Sequence, residues 1–144
     1  MGRDQVRVLV VEDSDFMRAA AIAYLRADPE ITVVAEAEGP NEAMQALRAD
    51  DRIDVVVMDL RLRGATLAGL GLAASILKER PAVRIVVYSA LAPDLHAETL
   101  PRNTRGYVLK TDRPRALVEA VKTVARGGSY TSNEARASDS DGAD

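Results

Sequence analysis

The chain of 144 residues is 47% apolar and 28% charged, with a formal net charge of −3 and no cysteine. That length supports one domain with a substantial core, and the acidic balance carries no basic nucleic-acid footprint. Disulfides and thiolate metal sites are excluded; no apolar run nears the ~18 residues of a membrane span, and Met1 to Val11 lacks a signal-peptide pattern, so a cytoplasmic protein without membrane partners is expected.

Val6 to Val11, β-branched and mostly apolar, reads as the first strand and runs into Glu12-Asp13. Ser14 is placed to cap a helix. Its apolar residues Met17, Ala20, Ala21, Tyr24 and Leu25 recur at helical spacing, and Asp28-Pro29 stops it, because a residue before proline disfavours the α region. Ile31 to Ala37 is the second strand. Gly39-Pro40 opens a second helix, with Ala43, Leu47 and Ala46 facing inward and its end near Asp51. Ile53 to Met58 is the third strand. Its run Val55-Val56-Val57-Met58 suits a strand buried on both faces, and Asp59 stands at its carboxyl end.

A loop to about Thr66 leads into a third helix carrying Leu70, Ala73, Ala74 and Leu77 and closing at Arg80-Pro81. Gly69 and Gly71 are expected to weaken its first turn by roughly 1 kcal/mol each relative to alanine. Val83 to Tyr88 is the fourth strand, ending at Ser89-Ala90. A short fourth helix is placed between Pro93 and Leu100, with His96 on its surface. Arg105 to Leu109 is the fifth strand and ends at Lys110. Asp112 as cap and Pro114 in the first turn start a fifth helix, with Leu117, Ala120, Val121 and Val124 inside and Gly127-Gly128 at its end. From Ser132 the composition shifts to Ser, Asp, Gly and Ala. Residues 132–144 are expected to be a disordered tail or the start of a linker.

Five βα units in strict alternation imply an α/β fold with a parallel sheet and helices on both faces. The expected form is flavodoxin-like, a (βα)5 doubly wound sheet of strand order 2-1-3-4-5, with ligands bound at the carboxyl ends of the strands. Those ends carry Glu12 and Asp13, Asp59, Ser89, and Lys110. The fold would gather them on one rim. Three carboxylates held close repel unless a cation sits among them, and oxygen ligands favour a hard one such as Mg²⁺. A lysine and a hydroxyl beside it suit an anionic group. Together these are the parts of a phosphoryl-transfer site in which a carboxylate can attack in line.

Val10-Val11-Glu12-Asp13-Ser14, Val57-Met58-Asp59-Leu60-Arg61, Val87-Tyr88-Ser89-Ala90 and Gly106-Tyr107-Val108-Leu109-Lys110 form an ordered set. Through it, residues 5 to about 131 resemble a response-regulator receiver domain of two-component signalling. Asp28-Pro29-Glu30-Ile31, Val34-Ala35-Glu36-Ala37, Arg105-Gly106-Tyr107 and Gly127-Gly128-Ser129-Tyr130 narrow the resemblance to the NarL/FixJ (LuxR-type) subfamily. The resemblance implies that Asp59 is the phosphoacceptor. It makes Asp13 a direct Mg²⁺ ligand, Glu12 a ligand largely through water, and the backbone carbonyl of Arg61 the third protein ligand. Lys110 would pair with the phosphoryl group and Ser89 would be the switch hydroxyl. Tyr107 would be the aromatic that changes rotamer, and Ala90 the small residue that keeps the site accessible.

A sensor histidine kinase is then the implied donor, and the domain is a regulatory phosphoacceptor rather than an enzyme. DNA contact is implied only through an output domain outside this chain, with homodimerisation left open. The pattern departs from the family at Leu62-Arg63-Gly64, where Met-Pro-Gly is usual, in a longer Ala65 to Gly71 segment, and in a shorter Ser89 to Lys110 stretch containing Pro101. Alternatives are a stand-alone receiver acting by protein contact, and a degenerate receiver regulated without phosphorylation. A flavin-binding domain fits poorly, since Glu12-Asp13 would repel a flavin phosphate. An aspartyl-nucleophile phosphatase would place a second acid where Arg61 stands.

Overall fold

Apolar strands and amphipathic helices can hide their faces in only a few layered arrangements, and this chain takes the doubly wound one. The computed structural model describes residues 5–62, 66–90 and 100–132. Their elements are β1 (Val6–Val11), α1 (Asp15–Arg26), β2 (Ile31–Ala37), α2 (Pro40–Ala49), β3 (Val55–Met58), α3 (Thr66–Glu79), β4 (Arg84–Ser89), β5 (Thr104–Leu109), α4 (Pro114–Ala125) and β6 (Tyr130–Thr131). All strand pairs are parallel, in the order β2-β1-β3-β4-β5-β6. The flavodoxin-like order of the first five is as expected.

The sixth strand is an addition. Two residues are too few to show a period, so only its pairing with Gly106 and Tyr107 reveals it. Ser132, where the tail was expected to begin, is buried and donates its N–H to the Tyr107 carbonyl at 3.1 Å. The expected helix between Pro93 and Leu100, with His96, lies outside the described residues, as does the chain beyond Ser132. Among the described residues no helix is long and apolar enough to cross a membrane.

Side chains alternate along each strand, so the sheet divides the core in two. Val8, Val10, Val55, Val57, Val86, Tyr88 and Val108 face α1 and α4. Leu9, Val11, Val56, Met58, Val87, Tyr107 and Leu109 face α2 and α3. The inner face of α4 is the expected set, Leu117, Ala120, Val121 and Val124. In α1 the buried set is Ala21, Ile22 and Leu25, with Met17, Ala20 and Tyr24 half-buried beside it. In α2, Met44 joins Ala43 and Leu47, and Ala46 is half-buried.

The α3 face differs from expectation. Leu72, Ala73 and Ile76 are buried, while Ala74 is exposed and Leu70 and Leu77 are half-buried. Gly69 explains the rotation. A Cβ there would lie 2.3 Å from the Leu60 carbonyl oxygen and 2.4 Å from its Cα. Its N–H donates to that same carbonyl at 3.0 Å. Positions 69, 72, 73 and 76 thus form one inward stripe at i, i+3, i+4 and i+7. The glycine is its first contact, not a flaw in the first turn. Gly71 points into open space.

Helix ends follow local chemistry. Ser14 caps α1 as expected, its Oγ accepting from Met17 N–H at 3.2 Å. The cap of α4 is Arg113, with no side-chain bond, rather than Asp112. Asp112 turns back instead and accepts the Leu109 N–H at 2.8 Å, closing the end of β5. After α4, Gly127 at φ 95° lets its N–H reach the Val124 carbonyl while Gly128 N–H reaches the Thr123 carbonyl. This is a Schellman ending.

Two outcomes are expected. Gly69→Ala should lower stability by about 1–3 kcal/mol or more, because backbone cannot move aside as a side chain can, whereas Gly71→Ala should stabilise by up to about 1 kcal/mol; urea midpoints of the two variants check the contrast. The second concerns Asp28, which accepts from Glu30 N–H at 2.8 Å and from Lys122 Nζ at 3.1 Å. The Glu30 N–H, and then Lys122, hold its carboxyl below the ordinary 3.8. A depressed carboxylate contributes stability that is complete above its unfolded pKa and is lost as pH falls through the folded value. Asp28→Asn should therefore be less stable at pH 7 and converge with wild type once pH has fallen through the lowered folded value, as read from denaturation across pH.

Candidate functional site

Register brings the strand ends to one level. Val11 pairs with Met58, so the next residues, Glu12 and Asp59, leave adjacent strands side by side. Ser89 pairs with Leu109, and Lys110 N–H donates to the Ser89 carbonyl at 2.8 Å. From the end of β5, the Lys110 side chain reaches past β4 to the other two strands. The strand it crosses ends in the small side chains of Ser89 and Ala90.

Lys110 Nζ lies 2.5 Å from Glu12 Oε1 and 2.8 Å from Asp59 Oδ2. These side chains are 15%, 6% and 10% exposed, so the three charges meet mostly out of water. Both carboxylates have further donors. Ser14 N–H reaches Glu12 Oε2 at 3.0 Å and Arg61 N–H reaches Asp59 Oδ1 at 3.1 Å. Burial pushes the Glu12 carboxyl above its ordinary range, opposed by Lys110 and the Ser14 N–H. Burial also pulls on Lys110, but its hydrogen bonds to Asp59 and Glu12 outweigh that and hold it a cation.

The other expected site residues are placed as follows. Asp13 is half-buried in the turn after Glu12. The Arg61 side chain is exposed, and its backbone is what touches Asp59. Ser89 is 1% exposed at the rim, and Ala90 is exposed next to it. Tyr107 is buried in the core on the α2 and α3 side, with Met58, Val87 and Leu109. Among the described residues no three Asp, Glu, His or Cys side chains are grouped to hold a metal ion. The cation between Glu12 and Asp59 is the lysine. The donors at hand are all oxygens, the carboxylates of Glu12, Asp13 and Asp59 and the Arg61 carbonyl, and that chemistry fits a hard divalent cation.

One residue of this neighbourhood escaped the sequence reading. Arg18, on α1, donates to the Glu12 carbonyl at 2.7 Å. Its only signal in the sequence is an Asp15–Arg18 spacing of three on a helix, which surface ion pairs share.

Known proteins match this chain over most of its length. Residues 8–122 match the profile of the response regulator receiver domain. The DNA-binding transcriptional activator DevR/DosR of Mycobacterium tuberculosis is 34% identical over 133 residues, which make up 92% of this chain and 60% of that protein. Against two further curated relatives the chain spans 54% and 57% of their length. A solved LuxR-family two-component response regulator from Aurantimonas sp. SI85-9A1 superposes with a TM-score of 0.86 at 27% identity, over 96% of this chain and 97% of that one. The signal receiver domain of the NarL response regulator of Mycobacterium tuberculosis gives 0.77 at 27% identity, over 87% and 99%. With its sequence matched over residues 8–122 and its fold matched by solved receivers, the chain belongs to the response-regulator receiver family, and it is similar to LuxR-family members of it.

Proposed function

We propose that residues 5–131 form a cytoplasmic, phosphorylation-gated switch, in which Asp59 takes a phosphoryl group from the phosphohistidine of a sensor histidine kinase. The observation that carries this reading is the Lys110 ammonium held between Asp59 and Glu12 on the strand-end rim. An Asp59 oxygen attacks phosphorus, the bond from phosphorus to the donor nitrogen breaks, and the donor leaves as neutral imidazole, its other ring nitrogen carrying a proton taken from solvent. Asp13, Asp59 and the Arg61 carbonyl would hold Mg²⁺, with Glu12 acting through water. When bound, the ion supplies positive charge at the transferred group. Phe16, 79% exposed on the first turn of α1, offers an apolar contact beside the rim for a donor protein.

The product adds roughly −1.5 to −2 charges at Asp59. Lys110 then turns from Glu12 to the phosphoryl oxygens, and the Ser89 hydroxyl donates to them. Ala90 leaves the approach uncovered. Driving a switch from mostly off to mostly on takes roughly 5.5 kcal/mol of differential binding, and a few charge-assisted hydrogen bonds in a partly dry site can supply it. Tyr107 is the side chain assigned to respond. Its backbone is tied to the C-terminal segment through the pairing with Thr131 and the Ser132 N–H. The readout is assigned to a separate DNA-binding output domain, in keeping with the relative DevR/DosR, of which this chain spans 60%. The domain acts as a regulatory phosphoacceptor and not as an enzyme on an outside substrate.

Incubated with a small acyl-phosphate donor and Mg²⁺, the wild type should gain one phosphoryl group by intact mass, and Asp59→Asn none; labelling of the variant, or none of the wild type, refutes the assignment. Lys110→Met should lose roughly 3 kcal/mol of stability in metal-free buffer, because it leaves two buried carboxylates without their cation. Added Mg²⁺ should restore part of that loss in the variant. A loss under about 1 kcal/mol, or no response to Mg²⁺, counts against both the ion triad and the metal.

A further inference from the structure

Arg18 is bonded in a way that the established family membership does not explain. Its side chain is 13% exposed, and all three of its guanidinium nitrogens donate to named acceptors. Nε reaches Glu36 Oε1 at 2.9 Å, Nη1 the Glu12 carbonyl at 2.7 Å, and Nη2 Asp15 Oδ1 at 2.7 Å. The acceptors belong to three pieces of structure: the end of β2, the turn after β1, and the first turn of α1. One planar fork therefore clamps a strand end, a turn and a helix start in a fixed relation.

The clamped turn is the one from which Glu12 and Asp13 project. On its other side Glu12 N–H is bonded to the Ala37 carbonyl at 3.0 Å, next to Glu36 on β2. The Glu12 peptide is thus held from both of its ends. Arg18 meets Glu12 through the main-chain carbonyl, leaving the carboxylate to Ser14 and Lys110. Its charge offsets the repulsion among Glu12, Asp15 and Glu36 without taking an oxygen of the Glu12 carboxylate. Lys110 offsets charge by binding those carboxylate oxygens directly.

We propose that Arg18 is a positioning residue for the acidic turn: by pinning the Glu12 carbonyl between β2 and α1, it fixes where the Glu12 and Asp13 carboxylates stand and thereby sets the affinity of the rim for a divalent cation. The proposal rests on the phosphoacceptor reading above, since it concerns the cation of that same site. The pin needs directional donors in a fixed plane, so a charge alone does not replace it. Lysine, a flexible point charge, cannot bond the three acceptors at once.

The test measures MgCl2 binding to the unphosphorylated protein by calorimetry, with wild type, Arg18→Ala and Arg18→Lys, each checked for folding by circular dichroism and a urea midpoint. Groups that orient ligands from behind typically change metal affinity 10- to 100-fold when removed. Arg18→Ala should weaken Mg²⁺ binding about tenfold, and Arg18→Lys should recover less than half of that on a logarithmic scale. A destabilised protein with unchanged Mg²⁺ affinity would make Arg18 a merely structural clamp and overturn the proposal. So would full recovery by lysine. If Arg18→Ala fails to fold, Arg18→Lys decides alone: binding weakened about threefold or more supports the pin, and wild-type affinity refutes it. Wild-type protein that binds no Mg²⁺ and takes no acyl-phosphate label overturns the phosphoacceptor reading together with the proposal. Wild-type protein that does both, beside variants of unaltered affinity, overturns the role of Arg18 only.

Discussion

Two carboxylates that leave neighbouring parallel strands at the same level repel each other, and the Lys110 ammonium between Glu12 and Asp59 is the contact on which the rim depends. Taking all three groups from water is expensive, and a buried ion pair is weak evidence of net stability. A purely structural sheet could end these strands in apolar residues more cheaply. The triad makes more sense as a held state that a ligand can exchange. On the proposed function, an anion added at Asp59 and a cation added beside the acidic turn would both act on the same lysine. Its long flexible stem and rotating donors suit that exchange.

Everything beneath the rim serves to keep the strand ends level. A one-residue slip of β3 against β1 would send Asp59 to the wrong height and turn its apolar set to the wrong layer. The two core layers, each packed by a pair of helices, make that slip costly. Two glycines set how close the helices come. Gly69 lets α3 rest on Leu60, the residue directly after Asp59. A Cβ at Gly106 would stand 3.0 Å from Val86 Cγ2 and 3.2 Å from Val124 Cγ2, so α4 lies tight on β5 just below Tyr107. Gly69 packs on the residue that follows Asp59, and Gly106 directly precedes Tyr107. The packing that positions the helices therefore also fixes the backbone that carries the chemistry.

The parts of the fold legible in the sequence were those written in side chains. Strands announced themselves as β-branched runs, and each polar strand end could be read directly. The α4 face was readable because Leu117, Ala120, Val121 and Val124 fill one stripe with no competitor. The α3 face was not, because its leading contact is a missing side chain. Apolar periodicity counts what is present, and Gly69 contributes by having nothing there. Asp112 showed the opposite ambiguity. A short carboxylate before Pro114 can cap the next helix or close the preceding strand, and only the nearby Leu109 N–H decides between them. β6 could not be read locally, since two residues become a strand only through a partner brought from 24 residues earlier in the chain.

On the proposed function, Arg18 and Lys110 together would let one small rim be both rigid and switchable. Each carries a positive charge into the same acidic neighbourhood, and each touches Glu12, Arg18 at the main-chain carbonyl and Lys110 at the carboxylate. Arg18 holds the main chain with a planar fork whose three acceptors sit on β2, the turn and α1. Lys110 holds the carboxylate with a single ammonium shared with Asp59. On the proposed function, the fixed charge lies behind the ligand oxygens and the exchangeable one in front. A new anion at Asp59 can then draw Lys110 without dragging the acidic turn along. Lys110 follows β5, the strand that carries Tyr107 and pairs with β6, so on the proposed function the response would pass to that strand. On that function the site would keep its ligands in place and still pass a displacement toward the C-terminal side of the sheet, because Arg18 ties α1 to β2 while Lys110 follows β5.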